Sequence, residues 1–515
     1  MSEIRGITLV IFGLGTLVYY YSWWISEDQL TNPLLVTGLL FALIYGICQI
    51  LGSWLLYLAT HRRTYRASPA PQNFTVDVFV TCCGEKPELI EKSLRAAVNL
   101  LGEHKTWLLD DLGDPALEKM AHKLGAKYLN RPDSIDAKAG NVNSALANTN
   151  GEIIVIFDID HIPHPKFLMR TIRHFADPSV GFIQVMPTFS NNADSWVAQA
   201  AAETSLDFYN PTSKGMDALK SVTKMGTNSL VRRTALMSIG GYQPGLAEDL
   251  ATSLKLHAEG WESVYVAEPL APGLVPEDLT SWFTQQLKWS YGVFRILFTD
   301  FVSLFGKFNW GQRLSYTVRT TKYLLGLVTS IHIVLTIIFL LSESHIGKSS
   351  FENYLIHLIP LAFADSAIRM LALRRWHYPR VESFHQRRAV ALVYGTWPVY
   401  TLAFVMSLFR IPLRFRPTPK GQESINAIWL MPQIIAFCLL VYGLAFSLIN
   451  IDQPKYWFTL LFASIQAIIH LTFLWYSISS LNIRLKFYRA KSRQDIRHGV
   501  LNADSSGISH QRFSD

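Results

Sequence analysis

Two long uncharged apolar runs open the chain, Thr8–Ile25 and Leu34–Thr60. Each is long enough for an α-helix to cross about 30 Å of hydrocarbon. The first is followed at once by the second and lacks a small-x-small cleavage pattern, so it reads as a retained helix rather than a signal peptide. The pattern then changes. From about 75 to 310, short apolar runs end in loops bearing Asp or Gly: Val76–Val80, Trp107–Leu109, Ile153–Phe157 and Val180–Val185. Helical patterns such as Pro87–Leu101 and Pro165–Phe175 lie between them. This alternation predicts an α/β domain with a mostly parallel sheet and helices on both faces. In such sheets ligands bind beyond the carboxyl ends of the strands, where the acidic clusters of this chain fall.

Apolar runs return at Tyr323–Ser342, Tyr354–Leu373, Ala427–Ile451 and Tyr456–Ile483. Between the two pairs, Arg380–Arg414 mixes Arg, Glu and His with Trp and Leu, which suits a helix lying in the membrane interface. Six spans are expected, and Ala389–Leu408 is long enough to make seven. The chain thus divides into two N-terminal membrane helices (1–66), an inserted soluble domain with interfacial helices (67–312), a C-terminal membrane region (313–483) and a basic tail (484–515).

Composition agrees. Of 515 residues, 50% are hydrophobic and 17% charged. That excludes a disordered chain and argues against a wholly soluble one, because average chains carry about 25% charge. The net charge of +8 is gathered in clusters beside apolar runs, at His61–Arg66, Arg374–His377 and Arg484–Arg497. Lys and Arg collect on the cytoplasmic side of membrane proteins, so a bilayer accounts for the excess and nucleic acid does not. By the same rule the acidic Ser26–Asn32 loop is external. The soluble domain and both termini are then cytoplasmic, in a multi-pass protein of the plasma (inner) membrane. The four cysteines form no C-x-x-C pair, which supports neither a disulfide scaffold nor a zinc site.

Four constellations carry chemistry. Asp110-Asp111 follows an apolar run, where an acidic turn is the bland alternative. Asp158 and Asp160 end another, and two carboxylates at i and i+2 suit a hard cation, Mg²⁺ or Mn²⁺. Glu248-Asp249 precedes a helical pattern, placing a carboxylate near a helix N-terminus, where it serves as a proton acceptor or as a simple cap. Gln285-Gln286-Leu287-Lys288-Trp289 combines amides, a cation and an indole, a set suited to sugar hydroxyls, a phosphate and a sugar face. An amphipathic interfacial helix has the same composition. His161 and His164 beside Asp160 read as structural, as do His332 and His470 on apolar helices.

In this order the four resemble the D-D, D-x-D, T-E-D and Q-x-x-R-W motifs of processive family-two glycosyltransferases, such as bacterial cellulose synthase catalytic subunits. Lys138-Ala-Gly-Asn-Val-Asn143 resembles that family's K-A-G-N-L-N. Gly226-Thr227 followed by Arg232-Arg233 resembles its turn after the acceptor strand. Phe415-Arg-Pro-Thr418-Pro-Lys420-Gly421 resembles its F-x-V-T-x-K gating loop, about 411–424. The resemblance implies a GT-A (Rossmann-like) domain fused to membrane helices. It implies a processive, inverting β-glucan synthase using UDP-glucose and Mg²⁺ or Mn²⁺. Thr81, Glu85, Asp110, Asp111, Lys138, Asp158, Lys288, Thr418 and Lys420 would bind the nucleotide-sugar, and Asp158 and Asp160 the metal. Asp249 would be the catalytic base, and Glu248, Gln285, Gln286 and Trp289 would hold the acceptor. UDP-sugar, a growing polysaccharide, the lipid bilayer and accessory export subunits are the implied partners.

The chain departs from the pattern at several points. Ala247 replaces the T-E-D threonine, Lys288 the arginine of Q-x-x-R-W, and Pro417 the gating-loop valine. Thr81-Cys-Cys-Gly-Glu85 lacks the tyrosine of T-Y-N-E. Lysine keeps the charge at 288 and loses the bidentate fork. A cyclic-dinucleotide-sensing barrel does not fit the thirty or so residues after Ile483, and Arg493 and Arg497 read as lipid-facing charge. Three rivals stay open: a synthase of different donor or linkage (a hyaluronan- or chitin-type enzyme using UDP-N-acetylglucosamine, or a β-1,3 or mixed-linkage synthase), a non-processive lipid-linked glycosyltransferase, which would share D-x-D but needs neither Q-x-x-R-W nor a gating loop, and an inactive transporter or scaffold.

Overall fold

The computed structural model describes residues 3–26, 33–60, 73–131, 133–342, 351–373, 387–414, 427–450 and 459–478. Thr418, Lys420 and the basic tail lie outside the described residues.

Among the described residues the soluble domain has nine strands: β1 (Val76–Cys82), β2 (Lys105–Asp110), β3 (Lys127–Asn130), β4 (Ile153–Asp158), β5 (Val180–Val185), β6 (Thr188–Phe189), β7 (Ser229–Arg232), β8 (Glu262–Val266) and β9 (Pro272–Gly273). Seven build one sheet in the order β3-β2-β1-β4-β7-β5-β8, and β6 pairs with β9 alone. The expected runs are all strands: Val180–Val185 has the expected bounds, and the other three extend beyond their apolar cores. β7 is the exception to parallel pairing, running antiparallel to both β4 and β5. Its four residues carry too short an apolar run to be read from sequence.

The central strands are apolar without interruption because helices cover both faces. Val78, Val80, Val155 and Phe157 pack on one side with Ile90 and Leu94 of the Pro87–Val98 helix. Phe79, Ile154 and Ile156 alternate to the other side, against Val142, Val231 and Leu256. The parallel register sets Cys82 beside Asp110 and Thr81 beside Asp158. Strand pairing alone therefore brings the D-D and D-x-D carboxylates to one sheet edge. The expected Pro165–Phe175 helix is shorter, an α-helix over Phe167–Thr171 tightening to 3₁₀ over Ile172–Ala176.

Among the described residues, seven helices are long and apolar enough to cross a membrane: the six expected and the 387–408 segment. They leave Ile11, Val18, Phe363, Ile435 and Trp475 exposed, an apolar surface suited to lipid. Buried polar contacts tie them together: Trp54 Nε1 donates to Asp365 Oδ1 at 2.9 Å, and Gln466 Nε2 to Thr336 Oγ1 at 2.9 Å. The 387–408 segment is two helices, Arg387–Gly395 and Trp397–Leu408. It packs on the soluble domain, with Tyr400 and Ala403 against Tyr291 and Phe294 of the Leu279–Phe298 helix. Leu392 and Val399 meet Val197 of the Trp196–Asp207 helix.

Candidate active site

One cavity of about 700 Å³ runs from the carboxyl edge of the sheet to the membrane helices. Thr81, Glu85, Asp111, Lys138, Asp158 and Asp160 line its sheet end, and Glu248 and Asp249 stand midway. Gln285, Gln286, Lys288 and Trp289 line it from the Leu279–Phe298 helix.

At the sheet end, the Lys138 ammonium donates to Asp158 Oδ1 and, at 2.5 Å, to the Gly226 carbonyl. Gly226 has φ +82°, a left-handed conformation that glycine adopts without cost. Burial alone would lower the Lys138 pKa, but the carboxylates of Asp158, Glu248 and Asp249 hold it above its ordinary value. Thr81 Oγ1 reaches Asp158 Oδ1 at 3.5 Å, and the Cys83 amide donates to Glu85 Oε2 at 2.7 Å.

The two carboxylates of the D-D pair have separate surroundings. Asp110 is fully buried and does not line the cavity. It accepts from the Leu112 amide at 3.0 Å, the Asp114 amide at 2.8 Å and the Tyr128 hydroxyl at 2.9 Å. Asp111 faces the cavity and accepts from Arg131 Nε at 2.7 Å. The same guanidinium donates to the carbonyls of Ile135 and Ala137, at 2.5 and 2.7 Å. It thereby fixes the strained turn in which Asp136 and Ala137 have φ of 60° and 44°. Arg131 was not foreseen, since nothing local marks it.

Asp158, Asp160 and His161 form a compact donor set, with ligand atoms within 4.8 Å of one another. His161 Nδ1 sits 3.2 Å from Asp160 Oδ1, while its Nε2 is buried without a hydrogen-bond partner among the described residues. A side chain at Gly273 would meet that ring at 2.4 Å. Two carboxylates plus an imidazole fit Mn²⁺ or Mg²⁺, with remaining positions for water and phosphate. His161, which reads as structural from sequence, thus lies with the D-x-D carboxylates.

Glu248 and Asp249 open the Glu248–Ala258 helix, and Asp249 Oδ1 accepts from the Leu250 amide at 2.8 Å. Burial, then the Asp249 charge, raises Glu248 to about 7. Burial also raises Asp249, against the pull of Arg319, Lys138 and Lys224. The two carboxyls sit close enough to titrate as a pair, each raised above the ordinary carboxylate range. Lys224, wholly buried, lays its ammonium 5.4 Å from the Tyr242 ring and donates to Ser229 Oγ at 2.7 Å. Burial depresses its pKa to about 7.

On the acceptor side, Gln286 Oε1 accepts from the Tyr400 hydroxyl at 2.9 Å, which leaves its amide nitrogen for a ligand. Trp289 is 42% exposed, an open indole face on the cavity wall. Tyr291 donates to the Ile411 carbonyl at 3.0 Å, tying this helix to the start of the expected gating loop.

These features define a class. Residues 71–292 match the family described as glycosyltransferase like family 2, and residues 237–413 match the cellulose synthase family. The chain therefore carries a family-two glycosyltransferase domain of GT-A fold, flanked by apolar helices and joined to a cellulose-synthase-like segment. Among curated relatives, cellulose synthase 1 of Komagataeibacter xylinus is 29% identical over 85% of this chain and 29% of its own length. The UDP-forming cellulose synthase 1 catalytic subunit of the same organism is 28% identical over 82% of this chain and 59% of its own. The chain thus spans well under two thirds of the relatives it matches. Among solved structures, a mannosyltransferase from Pyrobaculum calidifontis in complex with GDP-Man and Mn²⁺ aligns with TM-score 0.46 and 18% identity, over 72% of this chain and 99% of that one.

Proposed function

We propose that this protein is a membrane-embedded, processive, inverting glycosyltransferase that polymerises glucose from UDP-glucose into a cellulose-like β-glucan and passes it through the bilayer. The observation that carries this reading is the single cavity joining the D-x-D carboxylates, the Glu248–Asp249 pair and the Gln285–Trp289 group to the membrane helices.

On this reading Asp111, Thr81 and Lys138 hold the nucleotide, and Asp110 and Arg131 keep the surrounding loops in place. Asp158, Asp160 and His161 would hold Mg²⁺ or Mn²⁺, which supplies positive charge to the diphosphate leaving group. Lys288 adds a second positive charge there. Asp249 accepts the proton of the acceptor hydroxyl, which attacks the anomeric carbon opposite the leaving UDP, so an α-linked donor gives a β-linked product. Gln285, Gln286 and Glu248 orient the acceptor hydroxyls, and Trp289 stacks on the sugar face. Thr418 and Lys420 belong to a loop that closes over the nucleotide. The soluble domain and both termini are cytoplasmic in the plasma membrane. That topology takes six spans and leaves 387–408 at the interface, where it packs on helices of the soluble domain. Accessory export subunits would receive the polymer.

The test is to supply the purified protein with each radiolabelled UDP-sugar and digest the product with linkage-specific hydrolases. A β-1,4-glucanase-sensitive polymer from UDP-glucose is expected. Incorporation from UDP-N-acetylglucosamine alone would overturn the donor assignment.

A further inference from the structure

Two side-chain hydrogen bonds, one helical turn apart, join the Leu279–Phe298 helix to the 387–408 segment. Trp282 Nε1 donates to Thr396 Oγ1 at 2.9 Å, and the Tyr400 hydroxyl donates to Gln286 Oε1 at 2.9 Å. Trp282 and Gln286 are four residues apart, as are Thr396 and Tyr400, so the two bonds form a double clasp between facing helices. All four side chains are buried, and Trp282, Gln286 and Tyr400 line the cavity. The break between the Arg387–Gly395 and Trp397–Leu408 helices gives Thr396 its place. Its hydroxyl proton goes to the Leu392 carbonyl at 2.6 Å, so a lone pair meets the indole. Tyr400 is wedged in turn. Its ring centroid lies 5.1 Å from that of Tyr323, and a side chain at Gly326 would meet the neighbouring Trp397 carbonyl and Thr401 amide at 2.9 Å. Gln433 Nε2, on the Met431–Asn450 helix, donates to the Gly395 carbonyl at 2.7 Å and pins the segment from the membrane side.

The clasp has a chemical consequence. Tyr400 has one proton to give and Gln286 Oε1 takes it, so the amide cannot turn over without losing that bond. The amide oxygen is occupied. Gln286 Nε2, which makes no hydrogen bond among the described residues, is left as a donor to the cavity. Trp289 stands three residues further along the same helix with its indole open. One helix thus offers a flat apolar face and a fixed N–H donor, which a neutral saccharide meets with a pyranose face and a hydroxyl oxygen. We propose that Tyr400 is a positioning residue for the acceptor: held by the membrane helices, it fixes the Gln286 amide so that its N–H groups meet a hydroxyl oxygen of the saccharide. This rests on the polymerase reading above and specifies how its acceptor is oriented. The 387–408 segment is then a wall of the acceptor site as well as a neighbour of the bilayer.

The test is a double-mutant cycle on cellotetraose binding, measured by titration of the full-length protein in detergent. Tyr400→Phe keeps the ring and its packing and removes only the proton. It should weaken cellotetraose binding about 3- to 10-fold, as expected for one neutral hydrogen bond, while UDP binding stays unchanged and reports the fold. Gln286→Ala removes the amide itself, and adding Tyr400→Phe to that variant should cost nothing further. Wild-type affinity for cellotetraose in Tyr400→Phe overturns the proposal, as does a loss that recurs in full in the Gln286→Ala background. Loss of UDP binding together with saccharide binding would show that Tyr400 holds the fold rather than the amide, and overturns the positioning role as well. UDP release from UDP-glucose in the same preparations tests the catalytic reading separately. Turnover without coupling between the two residues removes the clasp alone, and coupling without turnover removes the polymerase reading alone.

Discussion

Lys138 and Asp158 form an ion pair across the mouth of the cavity, and the same ammonium holds the Gly226 carbonyl. One lysine thus joins the K-A-G-N helix, the D-x-D strand and the turn preceding β7. On the proposed reading its charge would also attract a diphosphate, so donor binding and local architecture would depend on the same group.

The proton acceptor is the sharpest point of test. Asp249→Asn keeps the shape but cannot take a proton, and turnover should fall by about 10²-fold or more. UDP affinity should stay within a few-fold, measured by calorimetry. Near-normal turnover would remove Asp249 from the role.

The Glu248–Asp249 pair sets the pH dependence. Because burial raises both carboxyls, the ionised base is lost as pH falls, and the acidic limb of kcat should lie above the ordinary carboxylate range. Glu248→Gln takes away the neighbouring negative charge and should move that limb to lower pH. A limb that stays in place in this variant would show that the two carboxyls do not titrate together.

On the proposed reading three residues, Asp158, Asp160 and His161, would hold the metal. Asp160→Ala should abolish activity and the Mg²⁺ or Mn²⁺ dependence of UDP binding, since one fewer carboxylate leaves a hard cation underligated. His161→Ala should weaken Mn²⁺ binding, followed by electron paramagnetic resonance, while UDP affinity without metal is kept. Unchanged activity in excess chelator would sink the metal reading.

At position 288 the charge matters more than the fork. Lys288→Arg should retain activity, whereas Lys288→Gln should lose about 10- to 150-fold if the ammonium makes one charge-assisted bond to phosphate. A Gln variant within twofold of wild type would leave Lys288 as a surface cation of an interfacial helix.

Lys224 predicts a stability effect with a definite sign. Its pKa is depressed from 10.5 to about 7 in the folded protein, so between those values the unfolded chain binds more protons than the native one. Stability therefore gains a contribution as pH rises through that window. Lys224→Met should abolish this slope, read from thermal melts across the window. A slope unchanged in the variant would show that Lys224 is not the group responsible.

Much of the site was legible because its chemistry is local in sequence. A strand end followed by D-x-D, or Glu-Asp opening a helix, carries its meaning within a few residues. What could not be read depends on contacts between distant segments. Asp110 and Asp111 are identical in sequence context, yet only the fold turns one into a loop anchor and leaves the other facing the cavity. Arg131 looks like any arginine after a short strand until its guanidinium is seen to bridge Asp111 and the turn before Lys138. His161 gains significance from an unpartnered nitrogen. The antiparallel β7 escaped for a different reason. Its short apolar run gives little periodicity to detect, and its direction is set by neighbours on both sides.

That short strand has its own consequence. The turn that leads into β7 lies in the cavity, while Arg232 and Arg233 at its far end donate to the carbonyls of Phe175, Val180, Leu146 and Gly151, well inside the fold. A genetic screen scored only by product yield would flag both arginines as though they touched the sugar. Their loss would instead release the strand that anchors the Gly226 turn, and suppressors should arise in the surrounding scaffold rather than around the cavity.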